Sequence, residues 1–176
     1  MRSYFRRVSR VFLYAIMFFS LLLCNPLAVA DAIKQHGDAL VVYLPENLNY
    51  LEVVDRLKSE ILAQNWEITD VQDIDVGLKQ YGKNTQNKVI SVCRSQLLAQ
   101  AITEDPFVSL IIPCRFTVFR ETVKEAGGKV TGRIVLGFVD PAAEAKAINI
   151  KQYKAAQQAT DELKAVLQIM ADFYNE

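Results

Sequence analysis

The feature that most constrains the fold lies late in the chain. Val108 to Thr122 reads as one long strand, Gly127-Gly128 supplies the positive φ angles of a hairpin loop, and Val130 to Val139 returns as a second strand. In the first strand, alternation sets Cys114, Phe116 and Val118 on one face and Arg115, Thr117 and Phe119 on the other. The return strand gathers Val130, Ile134, Leu136 and Phe138 on one face, and Asp140-Pro141 closes it. Such a hairpin needs a sheet around it and a second layer to bury its apolar face.

The flanking elements supply both. Asp38 to Leu44 reads as a strand stopped by Pro45. A helix follows, with Asn49 as N-cap, Glu52 three residues on, and Leu48 and Val53 placed as a hydrophobic staple. Tyr50, Val54, Leu57 and Ile61 form one buried stripe, and Asn65 ends the helix in the left-handed conformation. Trp66 to Ile74 alternates as a strand, Asp75 to Tyr81 is a short helical turn, and Lys88 to Cys93 is a further strand. Ser95 caps a helix running to Glu104 with Leu98, Ala101 and Ile102 inward, and Pro106 marks its end. A last helix over 151–174 carries Ala156, Leu163, Val166, Leu167, Met170 and Phe173 at helical spacing. The order β-α-β-β-α-β-β-α predicts an α+β two-layer sandwich, a mainly antiparallel sheet with helices on one face.

The N-terminus has a different character. Arg2, Arg6, Arg7 and Arg10 precede an apolar run from Val11 to Cys24, and Ala28-Val29-Ala30 offers a small-x-small cleavage site. This is the pattern of an export signal, and its run of about 14 residues falls short of the roughly 20 a spanning helix needs. A lipoprotein signal at Cys24 and a twin-arginine signal at Arg6-Arg7 are the lesser variants. The expectation is cleavage after Ala30 and a single periplasmic or extracellular domain over 31–176, with membrane contact only through the uncleaved leader. The whole chain balances 20 basic against 20 acidic residues; without the leader's four arginines it holds 16 basic and carries a formal charge of −4. A mildly acidic domain with no basic stripe argues against nucleic acid as a partner.

Several segments together resemble a known family. Val92-Cys93 ends a strand, and Ala101-Ile102 is a small-apolar pair in the helix after it. Asp105-Pro106-Phe107 leads into Leu110-Ile111-Ile112-Pro113-Cys114-Arg115, a hydrophobic run ending in Pro-Cys. A strand, a glycine-containing turn and a strand ending at Asp140-Pro141 follow, and the upstream helix ends in Asn65-Trp66. Over roughly residues 38–141 the chain resembles the domain of unknown function 302 family. It departs from the family's pattern at Arg94-Ser95, where Asn-Pro commonly follows the first cysteine. The resemblance implies an α+β fold and brings no activity, substrate or cofactor with it.

Chemistry-bearing residues are few. Cys93 and Cys114 are the cysteines that remain after cleavage. In an oxidising compartment an even pair reads first as a disulfide, whose loop closure would stabilise by about 3 kcal/mol. Two separate buried thiols, or a thiol site for a redox partner or soft metal, are the other readings. Neither cysteine has a nearby histidine or C-x-x-C spacing, so no metal site is expected. The lone His36 reads as a solvated residue of the N-terminal tail. Arg94 and Arg115 each follow a cysteine; if they converged they would form an anion-binding fork, and otherwise both reach solvent. No catalytic set is found and no cofactor is implied.

Three functions are compatible with this sequence. The first is a non-enzymatic exported binding domain, a candidate homodimer, holding a small ligand or partner near Cys93, Arg94, Cys114 and Arg115. The second is a thiol-dependent redox or soft-metal protein using Cys93 and Cys114. The third is a structural component of an envelope assembly that binds through an open sheet edge.

Overall fold

The structure is a computed structural model that describes residues 32–124, 127–128 and 130–175; the expected leader and its cleavage site lie outside the described residues. Six strands, β1 (Ile33–His36), β2 (Ala39–Tyr43), β3 (Glu67–Asp73), β4 (Asn87–Cys93), β5 (Cys114–Lys124) and β6 (Val130–Val139), form one sheet in the order β1-β2-β6-β5-β4-β3. Every neighbouring pair is antiparallel. The helices are α1 (Tyr50–Ala63), α2 (Ile74–Lys79), α3 (Ser95–Glu104), a 3-10 helix (Pro106–Ile111), α4 (Pro141–Ala147) and α5 (Lys154–Asn175).

The β5–β6 hairpin lies at the centre of the sheet, as its length demands, with Gly127 and Gly128 both at positive φ. Its pairing puts Phe116 opposite Phe138 and Val118 opposite Leu136, so the inward residues of both strands share one face. Helices α1 and α5 cover that face. Tyr50, Val53, Val54, Leu57 and Ile61 come from α1, and Leu163, Val166, Leu167 and Met170 from α5; all are buried against Ile90, Phe116, Val118, Ile134 and Leu136. Each large apolar side chain enclosed in this way stabilises by about 1.5–3 kcal/mol. Phe116 and Phe138 meet edge to face with centroids 5.4 Å apart, and the Tyr50 hydroxyl donates to the Val118 carbonyl at 2.9 Å. The helix limits follow the chemistry of the caps. Asn49 accepts from the Leu51 amide at 3.0 Å, and Asn65 turns the chain out of α1 at φ 60°.

In four places the architecture differs from the sequence reading. Residues 108–112 are not strand: β4 ends at Cys93 opposite the start of β5, so nothing stands beside them to complete a ladder. Asp105 instead accepts from the Phe107 amide at 3.0 Å and Pro106 opens a 3-10 helix, turning Val108 inward. Asp140-Pro141, read as a stop, is also a start, because Asp140 accepts from the Ala142 amide at 2.8 Å and caps α4. In α3 the N-cap is Arg94, and the Ser95 hydroxyl donates to Glu67 instead; Leu97 and Ala101 are buried while Ile102 is exposed. Finally, His36 belongs to the edge strand β1, not to a tail.

Candidate functional site

At one end of the sheet the covering helices do not close completely. The last residues of β4 and the first of β5, Val92, Cys93 and Cys114, form one wall of a cavity of about 40 Å³. Leu97, Leu98 and Ala101 of α3, Val108 and Ile111 of the 3-10 helix, and Ala155, Ala156 and Ala159 of α5 enclose the rest. The space exists because α5, which fills the core further along with Leu163, Val166 and Leu167, presents only alanines here. An apolar void of this kind favours an apolar guest over water.

Trp66 and Arg94 stand at the rim. Trp66 Nε1 donates to Glu162 Oε2 at 3.1 Å, and the same carboxylate oxygen pairs with Arg94. Gln158 donates to the other oxygen of Glu162 at 3.0 Å, so one carboxylate of α5 fixes the tryptophan, the arginine and a neighbouring amide together. The place of Trp66 in the cavity wall was not legible in the sequence. The signal available in sequence was the alanine cluster of 155, 156 and 159 on the buried face of an otherwise large-residue stripe.

The four residues singled out from sequence divide between two places. Cys93, Arg94 and Cys114 border the cavity, but Arg115 lies on the opposite face of the sheet, beside Pro113 and Glu144. No fork between the two arginines is built, because Arg94 is held by Glu162 while Arg115 points away on the outward side of β5. Nor is the disulfide formed: Cys93 and Cys114 are both free thiols. Cys114 sits opposite Val92, so Cys93 is one residue out of register with it.

The surroundings suit neutral thiols. Burial, reinforced by Glu144 and by the neighbouring Cys93, pushes the Cys114 thiol up to about 12, against a smaller opposing pull from Arg115. Burial, with Glu67 adding to it, raises Cys93 as well. Both are therefore poor nucleophiles near neutral pH. Among the described residues, no group of three or more His, Cys, Asp and Glu side chains is placed to hold a metal ion.

On the other face of the sheet, Val41, Val135 and Gly137 are buried and Val89, Thr117 and Phe119 half-buried. This face forms a shallow hollow of about 620 Å³ floored by Val41, Val89, Thr117, Val135 and Gly137. Arg115 and Glu144 stand at one end. At the other the Arg133 guanidinium lies 4.0 Å over the Tyr43 ring and pairs with Glu121 at 2.7 Å.

Comparison with known proteins agrees with the architecture. A crystal structure of an uncharacterized conserved protein, DUF302, from Bacillus stearothermophilus superposes with a TM-score of 0.60 at 17% identity, over 79% of this chain and 99% of that one. That likeness concerns the fold. No curated protein matches the chain. The family model described as domain of unknown function DUF302 matches residues 42–170, reaching beyond the resemblance read from sequence to take in α4 and most of α5. The chain, from its second strand to its last helix, belongs to the DUF302 family.

Proposed function

We propose that the protein is a non-enzymatic exported binding domain whose ligand is a small, thin, apolar molecule or alkyl group held in the cavity beside Cys93 and Cys114. The observation that carries this reading is the alanine-lined void between α5 and the end of the sheet, in a fold whose remaining core is filled by large side chains. The two protonated thiols suit such a guest, being small polarizable walls rather than reactive groups. Their raised pKa values weigh against the thiol-dependent alternative. Strand addition in an envelope assembly is disfavoured at both edges. One edge, β1, is only four residues long, and the other, β3, presents Glu67, Asp70 and Asp73.

Trp66 is the chain's one tryptophan and lines the cavity, so its fluorescence reports occupancy directly. Titration with short linear alkanols is expected to give a saturable change in Trp66 emission. The response is expected to vanish in Ala156→Leu and Ala159→Leu, which fill the space. A response that never saturates, or that survives filling of the cavity in a folded variant, would overturn the reading.

A further inference from the structure

The apolar cavity has a polar neighbour. Arg94, at the cavity rim, also lines a separate hollow of about 370 Å³ together with Gln64, Asn65, Gln158, Asp161 and Glu162. The chemistry changes across that one side chain. Behind it the walls are aliphatic side chains and the two thiols; in front stand two carboxylates and three side-chain amides. We propose that the guest is an amphiphile, with a short unbranched alkyl tail in the cavity and a primary ammonium head in the hollow beside Asp161. This rests on the cavity holding a guest, as proposed above, and names the chemical class of that guest. A tail that outgrows the cavity must end at Arg94, where a polar group is stabilised and an apolar one is not.

Three observations set the sign of the head. Glu162 is already matched: Oε2 accepts from Trp66 Nε1 at 3.1 Å and pairs with Arg94, and Oε1 accepts from the Gln158 amide at 3.0 Å. Its charge and that of Arg94 offset one another. Asp161 is left over. It is exposed, it accepts from the Gln157 amide at 3.2 Å, and among the described residues no cation pairs with it. Finally, α1 ends at this hollow, with Gln64 as its C-cap and Asn65 next in sequence. The last carbonyls of a helix carry partial negative charge, and no basic residue stands in the last turn of α1 to offset it.

The hollow therefore holds one unmatched carboxylate and the negative end of a helix, a field that repels an anionic head and attracts a cationic one. Hydrogen bonding points the same way. A primary ammonium has three donors and no acceptor, which suits the carboxylate of Asp161 and the side-chain amide oxygens around it.

Titration of the protein with n-butylammonium, n-butanol and butyrate at neutral pH, followed by Trp66 emission, compares three heads on one tail. The ammonium is expected to bind about fivefold more tightly than the alcohol, the size of a solvent-facing charge contact together with a helix end, and the carboxylate more weakly than either. Salt at about 1 M is expected to narrow the difference, because the head contact alone is screened. Asp161→Asn should bring the ammonium down to the affinity of the alcohol and leave the alcohol unchanged. The residue is exposed, so this variant is expected to keep the circular dichroism spectrum of the wild type. Ala159→Leu should abolish binding of all three. If the alcohol saturates but the ammonium binds no more tightly, or keeps its advantage in Asp161→Asn, the head assignment is overturned while the cavity reading stands. Ammonium binding that persists in folded Ala159→Leu puts the ligand in the hollow alone and overturns the amphiphile. No saturable response to any of the three overturns both readings.

Discussion

At the scale of single residues, Cys114 shows how position sets chemistry. The sequence marked it only as one of a pair in a compartment expected to be oxidising, and the pair reading failed on one residue of strand register, a quantity no local pattern reveals. Where it lies, burial holds its thiol at about 12 from an ordinary value of 9.0. Three pKa units correspond to roughly a thousandfold less thiolate at a given pH. Iodoacetamide labelling at pH 8, followed by mass spectrometry, should therefore modify Cys114 in the folded protein at least roughly a hundredfold more slowly than in urea. Comparable rates would show that the cavity wall is open to solvent. Arg115 could be named from sequence but not placed, since only the pairing of β5 with β4 and β6 sends it to the face away from the cavity.

At the scale of elements, the sequence was most legible where periodicity and capping agreed. The stripe of α1 and its Asn49 and Asn65 limits, the inward residues of β5 and β6, and the glycine loop between them all follow from spacing and backbone preference. Replacing Asn49 by alanine removes the acceptor for the Leu51 amide and should cost about 1 kcal/mol in a urea denaturation series. A loss within error would mean that water replaces the cap at no cost. Legibility ended where an element's fate depends on what stands next to it. Val108 to Ile112 has the composition of a strand but no strand to join, and becomes a 3-10 turn over the cavity. The β1 strand is polar, four residues long and recognisable only by its pairing with β2.

At the scale of the whole molecule, stability should depend on alkaline pH in a defined direction. Cys114, Cys93 and Tyr50 all hold their protons more tightly in the fold than outside it, chiefly through burial. A raised folded-state pKa contributes stability that is complete below the unfolded value and is lost as pH rises through the folded one. Stability should therefore be level up to about pH 9 and fall towards pH 12, and Cys114→Ala should flatten part of that slope. Thermal unfolding across this range checks it, and a curve unaltered by the substitution would assign the loss to other groups. The strand order has a further consequence, for the time course of folding. Strand β2 is made early, yet its central neighbour β6 is made some hundred residues later, and the core stays uncovered until α5 supplies Leu163, Val166, Leu167 and Met170. A growing chain therefore has no stable halfway domain: it remains a threadable polymer until nearly its last turn of helix, and closes all at once.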